Sequence, residues 1–280
     1  MKTFREPLKL QKWCAARRAE GRRIALVPTM GYLHEGHLSL IEAAKRRGAD
    51  EIVVSVFVNP VQFGPNEDYA RYPRDEKADL AKCRKAGATA VFFPTPENMY
   101  LPGHSVYVNE EDLSRGLCGA RRPGHFRGVC TVVAKLFNLA HPNFAVFGQK
   151  DFQQAQVIRR MVRDLNFDLE VVVSPIVREP SGLARSSRNT YLSGEERLRA
   201  LALSMSLRET KLRVAKKGSL RWAAESARIA KSLANAGLRV DYVEAVDAET
   251  LSPVKTLRAG NAVLLAVWDG KTRLIDNAVM

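Results

Sequence analysis

The sequence predicts an α/β protein, in which a doubly wound parallel sheet is followed by a smaller α+β unit. Over the first two-thirds of the chain, short apolar runs alternate with helical patterns, which is typical of a parallel sheet with helices on both faces. Beyond Pro175 and Pro180 the pattern changes to long amphipathic segments and then to short strands. We therefore expect one domain over residues 1–176 and a second over residues 177–280.

The elements of the first domain follow one another as strand–helix units. The apolar runs predict strands at residues 24–28, 51–58, 89–93, 144–148 and 169–173. Helical patterns lie near residues 37–47, 74–86, 127–140 and 151–163. The second domain is expected to hold helices near 195–215 and 219–236, and strands at 242–246, 262–267 and 273–275. In such sheets ligands bind beyond the carboxyl ends of the strands, so the segments that follow the strands form the candidate site.

The composition indicates a globular cytoplasmic protein that binds anions. Apolar residues make up 46% of the 280 residues, no run is long enough to span a membrane, and the first residues lack a signal peptide's apolar core. The four cysteines are far apart, which argues against a disulfide framework or a structural zinc site. The net charge of +14 divides into +7 on either side of Ile176, so we expect a basic surface with anionic substrates.

The first strand runs into the turn Pro28–His37, which we predict binds phosphate. Two of the five histidines, His34 and His37, lie three residues apart at the start of the next helix. A helix N-terminus favours anions, and side chains at this spacing share one face. The spacing differs from that of a zinc-protease helix, so we expect no metal there. The alternative is a surface turn that carries its histidines by chance.

Two more polar segments follow predicted strands. One ends at Gln62, and the other is Gly148–Asp151, at the start of a helix. Lys150 could place its ammonium against a phosphate, and Asp151 could cap the helix. Gln154, one turn further on, would face the same cleft as Gln62, and two amides suit a small substrate with hydroxyls and a carboxylate. An ordinary helix cap with surface residues is the alternative.

A third segment, Ser186–Asn189, places two hydroxyls, a guanidinium and an amide in a row. This combination suits a loop that closes over polyphosphate, although alone it would also suit an exposed turn. The chain has no glycine-rich dinucleotide fingerprint after its first strand, no P-loop and no Gly-x-Ser-x-Gly elbow. These absences argue against the corresponding enzyme classes.

The chain resembles the nucleotidyltransferase superfamily, whose His-x-Gly-His signature matches His34–His37, and more closely the pantoate–β-alanine ligase family. The matching stretches run in family order to the carboxyl terminus: Pro28–His37, Phe57–Gly64, Tyr72–Arg74, His125–Val129, Phe147–Gln154, Ser186–Ser193 and Thr272–Asn277. The resemblance implies a Rossmann-like fold of the HIGH type with a C-terminal α+β lid domain, in a homodimer. It implies that pantoate attacks ATP to give pantoyl adenylate and pyrophosphate, and that β-alanine then displaces AMP to form pantothenate.

The resemblance also implies a role for each matching residue. His37 would be the proton donor, with His34 beside it on the phosphates, Lys150 on the phosphates and Arg188 clamping them. Gln62 and Gln154 would hold pantoate, and Mg²⁺ would arrive with ATP. The residues implied to contact ATP are Met30, Gly31, Tyr32, Leu33, His34, Glu35, Gly36, His37, Gly148, Gln149, Lys150, Asp151, Val177, Arg185, Ser186, Ser187 and Arg188. An ionised carboxylate needs no general base, so these residues would act by positioning and by neutralising phosphate charge.

Two residues depart from the family pattern. Gln149 stands where the family usually has Glu, and Arg185 stands where a hydrophobic residue or Lys usually precedes the serines. Both changes are expected to make the pocket more positive. The sequence leaves two other functions open: an adenylyl- or cytidylyltransferase of the same superfamily, and an RNA-binding module whose surface would be the basic helix near 196–217. We expect neither nucleic acid nor membrane as a partner.

Overall fold

A computed structural model describes residues 1–65 and 67–280 and divides into two compact units. The first unit comprises residues 1–148 and 154–175, and the second comprises residues 149–153 and 176–280. A short segment from the middle of the chain therefore belongs to the second unit.

The first unit is built on a parallel six-stranded sheet in the order β1-β4-β3-β2-β5-β6. Its strands are β1 (Lys2–Phe4), β2 (Ile24–Thr29), β3 (Glu51–Val56), β4 (Ala90–Phe92), β5 (Phe144–Gly148) and β6 (Glu170–Ser174). Five of the six were predicted, each with ends within two residues of those observed. The edge strand β1 is too short to produce a sequence pattern. The parallel sheet confirms the predicted fold class.

Helices connect these strands and provide the apolar core on the faces of the sheet. They are α1 (Pro7–Ala19), α2 (Glu35–Arg46), α3 (Glu76–Ala86), α4 (Pro96–Met99), α5 (Leu117–Arg121), α6 (His125–Ala140) and α7 (Phe152–Asp164). One core cluster joins buried residues of β2 and β3 to Leu40, Ile41 and Ala44 of α2. The direction of the strand order reverses between β2 and β5, and such a reversal is where open parallel sheets bind their ligands.

The second unit contains two helices and two antiparallel sheets. The helices are α8 (Gly194–Lys217) and α9 (Trp222–Asn235). The larger sheet has the order β11-β10-β8, from β8 (Arg239–Asp247), β10 (Asn261–Asp269) and β11 (Thr272–Val279), and a two-stranded sheet pairs β7 (Ser219–Arg221) with β9 (Thr256–Arg258). The predicted α+β unit is thus confirmed, with longer strands than expected. Within the part of the chain described, no helix has the length and apolar character needed to cross a membrane.

Candidate active site

The turn after β2 has a backbone that only particular residues permit. Gly31 has φ +85 and the following Tyr32 has φ +51, so two successive residues lie in the left-handed region. A Cβ on Gly31 would lie 2.8 Å from Cγ1 of Val56, so this position also lacks space for a side chain. The Thr29 hydroxyl accepts from the Gly31 N–H at 3.2 Å and donates to the Ser55 carbonyl at 2.7 Å. The turn is therefore tied to both central strands.

The two histidines of this turn form a reciprocal cap at the start of α2. Nδ1 of His34, the N-cap residue, accepts from the Gly36 N–H at 3.1 Å, and Nδ1 of His37 accepts from the His34 N–H at 3.3 Å. Because a backbone N–H can only donate, neither Nδ1 carries a proton, and each neutral ring carries its hydrogen on Nε2. The ring centroids are 4.1 Å apart. The sequence predicted the shared face, and the structure adds that the hydrogen of each ring lies on Nε2.

Gln62 ends the 3₁₀ turn Pro60–Gln62 and is buried beside the histidine turn. Its Oε1 accepts from Nδ2 of Asn59 at 3.0 Å, and its Nε2 donates to Sδ of Met30 at 3.2 Å. A thioether sulfur is a weak acceptor. A substrate oxygen could therefore replace it at little cost, which suits the expected contact between Gln62 and pantoate.

Asn59 holds this turn from beneath and is 1% exposed. Its Oδ1 accepts from the Tyr100 hydroxyl at 2.7 Å, and its Nδ2 also donates to the Gly128 carbonyl at 3.2 Å. Burial raises the pKa of Tyr100, although the Asn59 hydrogen bond opposes this, so the phenol keeps the proton that it donates. The orientation of Gln62 thus depends on Asn59 and, through it, on the Tyr100 hydroxyl and the Gly128 carbonyl.

A second set of contacts, most of them partly buried, holds the backbone of Gln62. Glu67 accepts a bidentate pair of bonds from Arg122, at 2.6 and 2.7 Å, and Nη1 of Arg122 donates to Nε2 of His125 at 2.9 Å. A guanidinium can only donate, so the proton of His125 lies on Nδ1, which donates to the Gln62 carbonyl at 2.9 Å. Burial alone would raise the pKa of Glu67, but the bonds and charge of Arg122 outweigh it and lower that pKa. Glu67 is therefore ionised at neutral pH and ends the chain of hydrogen bonds that runs through Arg122 and His125 to Gln62.

The other predicted amide, Gln154, is half-buried in the first turn of α7. The contacts described do not join it to Gln62. That the two glutamines face one pocket stays a prediction.

In the second unit, the 3₁₀ turn Gln149–Asp151 is fastened to β11. Nδ2 of Asn277 donates to the carbonyls of Gln149 at 3.0 Å and Lys150 at 2.9 Å, and Nε2 of Gln149 donates to Oδ1 of Asn277 at 3.3 Å. Nζ of Lys150 lies 3.7 Å from a carboxylate oxygen of Asp151, a long ion pair that leaves the ammonium able to meet an anion. Gln149, where a Glu was expected, thus has a structural partner.

The predicted phosphate clamp follows a short hairpin in the same unit. Arg178 bridges to Ala184, and the Arg185 N–H donates to the Val177 carbonyl at 2.9 Å. Nη1 of Arg185 lies 3.7 Å from Oε1 of Glu179, so the positive charge expected from Arg185 faces a carboxylate.

The loop that follows is closed by its own hydroxyl. Ser186 Oγ accepts from the Arg188 N–H at 3.2 Å and caps the 3₁₀ turn Ser187–Tyr191. Ser187 is buried, and Ser186 and Arg188 are half-buried. Ser186 can still donate its own proton to a phosphate oxygen.

The predicted site residues thus divide between the two units. The first unit holds Met30 to His37, Gln62, Gly148 and Gln154, and the second holds Gln149, Lys150, Asp151, Val177, Arg185, Ser186, Ser187 and Arg188. Among the described residues, no three His, Cys, Asp or Glu side chains are grouped so as to hold a metal ion. Burial raises the pKa of the Cys14, Cys83 and Cys130 thiols to about 12, so these thiols do not ionise at neutral pH.

Known proteins match this chain over nearly its whole length. The family described as Pantoate-beta-alanine ligase matches residues 2–279. Pantothenate synthetase of Anaeromyxobacter dehalogenans is 57% identical over 278 residues, which cover 97% of this chain and 96% of the relative. The enzyme of the same name from Myxococcus xanthus is 55% identical over 271 residues, covering 96% and 92%.

Two crystal structures are also similar. That of pantothenate synthetase from Thermus thermophilus has a TM-score of 0.90 and 45% identity, and the match covers 100% of this chain and 99% of that one. The Francisella tularensis pantoate-beta-alanine ligase, complexed with beta-gamma ATP and beta-alanine, has a TM-score of 0.82 and 31% identity, with 100% and 97% covered.

Proposed function

The chain belongs to the pantoate–β-alanine ligase family, and from this premise we propose that it joins pantoate to β-alanine at the expense of ATP. The products are pantothenate, AMP and pyrophosphate. The observation that carries the proposal is the reciprocal cap of His34 and His37 at the start of α2, in which each ring has its hydrogen on Nε2. Neutral donors beside a helix N-terminus suit the binding of a polyphosphate.

In the first step, we propose, a carboxylate oxygen of pantoate attacks the α-phosphorus of ATP. A new P–O bond forms, the bond from that phosphorus to the bridging β-phosphate oxygen breaks, and pyrophosphate leaves with the bonding electrons. A carboxylate is ionised at neutral pH, so this step needs no general base. His34, His37 and Lys150 stabilise the charge on the phosphates, while Gln62 and Gln154 hold pantoate for attack.

In the second step the amine of β-alanine attacks the acyl carbon of pantoyl adenylate. The ammonium first loses one proton, a C–N bond forms, and the adduct loses the second proton as the C–O bond to AMP breaks. AMP leaves as a phosphate monoester. To Gln62 we assign the task of holding the acyl group during this attack, because its amide can exchange a weak sulfur partner for an oxygen.

We assign each of the remaining residues to one part of the nucleotide. Asp151 binds the ribose, Val177 the adenine, and Ser186, Ser187 and Arg188 bind phosphate oxygens. Mg²⁺ enters bound to the triphosphate as part of the substrate, because the groups at the histidine turn are N–H donors whereas Mg²⁺ prefers oxygen ligands.

We also propose a homodimer and a cytoplasmic location. Sedimentation at several concentrations tests the first, and a monomer throughout would contradict it.

Pyrophosphate exchange into ATP, with and without pantoate, tests the proposed function. The expected result is exchange that requires pantoate but not β-alanine. Exchange without pantoate would favour a nucleotidyltransferase, and no exchange under any condition would contradict an adenylate intermediate.

Protein variants, measured in the same assay, test the residue roles. His37→Ala and Lys150→Ala should each abolish exchange while the protein stays folded. His141→Asn and Lys211→Ala, which alter exposed residues of the same types, should leave exchange unchanged. Near-normal exchange in either of the first two variants would contradict the role assigned to that residue.

A further inference from the structure

The two peptide groups that flank Leu33, just before the histidine cap, are held by one helix of the first unit. The Leu33 N–H donates to Oδ1 of Asp79 at 2.7 Å, and the Tyr32 N–H donates to Oδ2 of the same carboxylate at 2.8 Å. Nζ of Lys82 donates to the Leu33 carbonyl at 2.6 Å. Asp79 and Lys82 are one turn apart on α3 and share a face. Together they form a clamp on both polar groups of Leu33.

The carboxylate of Asp79 needs these partners, because a buried carboxylate costs free energy unless its oxygens accept hydrogen bonds. Asp79 is 1% exposed, and its pKa is raised overall because burial outweighs the Leu33 and Tyr32 N–H bonds and the charge of Lys82, which lower it. The two N–H groups are the partners that offset this burial. They are consequently occupied and do not bind phosphate, which leaves the imidazole donors and the start of α2 for that task.

The clamp also explains how the turn keeps its backbone conformation. Gly31 and Tyr32 both have positive φ, a conformation that costs free energy for tyrosine and persists only where the surroundings fix it. Asp79 supplies a fixed acceptor for the N–H of Tyr32 itself. Nζ of Lys82 also lies 5.9 Å from the centroid of the Tyr32 ring. The carboxylate of Asp79 and the ammonium of Lys82 therefore both bind this turn.

We propose that Asp79 and Lys82 are positioning residues that set the orientation and tautomer of the histidine pair. Leu33 directly precedes His34, whose N–H donates to Nδ1 of His37. The Leu33 carbonyl and the His34 N–H belong to one peptide plane, so the bond from Lys82 fixes the direction of that N–H, and Asp79 fixes the peptide plane before it. The His34 N–H in turn keeps the proton of His37 on Nε2. This inference rests on the proposed function, since the orientation matters because the pair would bind ATP.

The test uses the full chain with Asp79→Asn and Lys82→Met. The amide nitrogen of Asn would face a backbone N–H, donor against donor, and Met keeps the stem of Lys82 without its charge. Asp75→Ala is the matched control, since Asp75 caps the same helix by accepting from the Ala78 N–H at 2.9 Å, and none of the hydrogen bonds described joins its side chain to the turn. Lys82→Arg restores a cationic donor and serves as the rescue.

Three quantities are measured: thermal stability, the kcat and KM for ATP in pyrophosphate exchange, and the imidazole ¹⁵N shifts. Both test variants should lower kcat for exchange by roughly 10- to 100-fold, because small displacements of aligned groups cost that much. The ¹⁵N signals of His37 should move away from the Nε2–H pattern. Asp75→Ala should lose stability yet keep both its exchange rate and its histidine signals, and Lys82→Arg should recover most of the rate.

Two results would contradict the clamp, and a third would contradict the proposed function. If Lys82→Met is folded and shows wild-type exchange and unchanged histidine signals, the proposed clamp is wrong, even if Asp79→Asn does not fold. The proposal is also wrong if Asp75→Ala loses as much exchange as the test variants, because the effect would then be one of stability alone. If the unaltered protein shows no exchange while the test variants still shift the His37 signals, the proposed function fails and the positioning of the histidines stands.

Discussion

Replacing Gly128 by Ala should displace Gln62 and thereby reduce adenylation. Gly128 lies on α6, where the helix passes the 3₁₀ turn that carries Gln62. A Cβ at this position would lie 2.6 Å from Cα of Gln62, 2.6 Å from the Val61 carbonyl oxygen and 2.7 Å from the Gln62 nitrogen. All three contacts are backbone atoms, so no side chain can rotate away to make room. The helix and the turn must separate instead.

The size of the effect follows from that geometry. Reaching an ordinary contact of 3.4 Å requires a separation of roughly 0.8 Å. Overpacking of this kind costs about 1–3 kcal/mol, and the gain from Ala over Gly in a helix offsets about 1 kcal/mol. The net loss in the free energy of unfolding should therefore be about 0–2 kcal/mol. A displacement approaching 1 Å at a substrate-binding residue can cost about 100-fold in rate, so activity should suffer far more than stability.

The assay is pantoate-dependent pyrophosphate exchange, measured beside thermal unfolding. Gly194→Ala is the control, because Gly194 is also helical and a Cβ there would meet nothing within 4 Å. We expect exchange to fall by about 10- to 100-fold in Gly128→Ala and to stay at the wild-type level in Gly194→Ala. If Gly128→Ala stays within twofold of wild type, α6 does not position Gln62 or Gln62 does not bind pantoate.

Three further predictions concern other supports of the site and the fold. Asn277→Ala removes both N–H bonds that Nδ2 donates to the 149–151 turn and so loosens Lys150; KM for ATP should rise, and an unchanged KM would contradict this. Arg122→Gln breaks the partly buried chain of hydrogen bonds from Glu67 to His125 and should raise KM for pantoate more than KM for ATP in the exchange assay. Burial would raise the pKa of Glu225, but Arg228 and other partners lower it overall, so its stabilisation is present above the unfolded pKa and is lost as pH falls through the folded pKa. Glu225→Gln should accordingly lose about 1–3 kcal/mol at pH 7, and the difference from wild type should shrink on acidification in unfolding titrations.

The sequence predicts the fold and the histidine turn well because both depend on local patterns. A buried parallel strand is a short apolar run, and the capped start of α2 has its histidines three residues apart. The side on which His34 and His37 lie follows from helical geometry alone. Their tautomers do not, because these depend on which backbone N–H each Nδ1 meets.

What the sequence does not reveal are the contacts between distant segments. Asp79 and Lys82 look like an ordinary acid–base pair on a solvated helix, yet Asp79 is buried and binds Leu33, 46 residues earlier. The 149–153 segment was expected to belong with the strand it follows. Its carbonyls instead bind Asn277, 127 and 128 residues away, and it joins the second unit. The composition of these segments carries no signal of either contact.

These distant contacts share one property that bears on the proposed reaction. His34, Gln62 and Lys150 are each placed through a peptide group next to them, which another segment holds: Lys82 of α3 for the first, His125 of α6 for the second and Asn277 of β11 for the third. A reaction that begins with an ionised carboxylate gains little from a general base and much from aligned donors. Variants of the residues that hold these peptides should therefore lose activity to an extent approaching that of variants in the substrate-contacting residues. In an enzyme that relied on proton transfer, by contrast, loss of the acid or base itself would dominate.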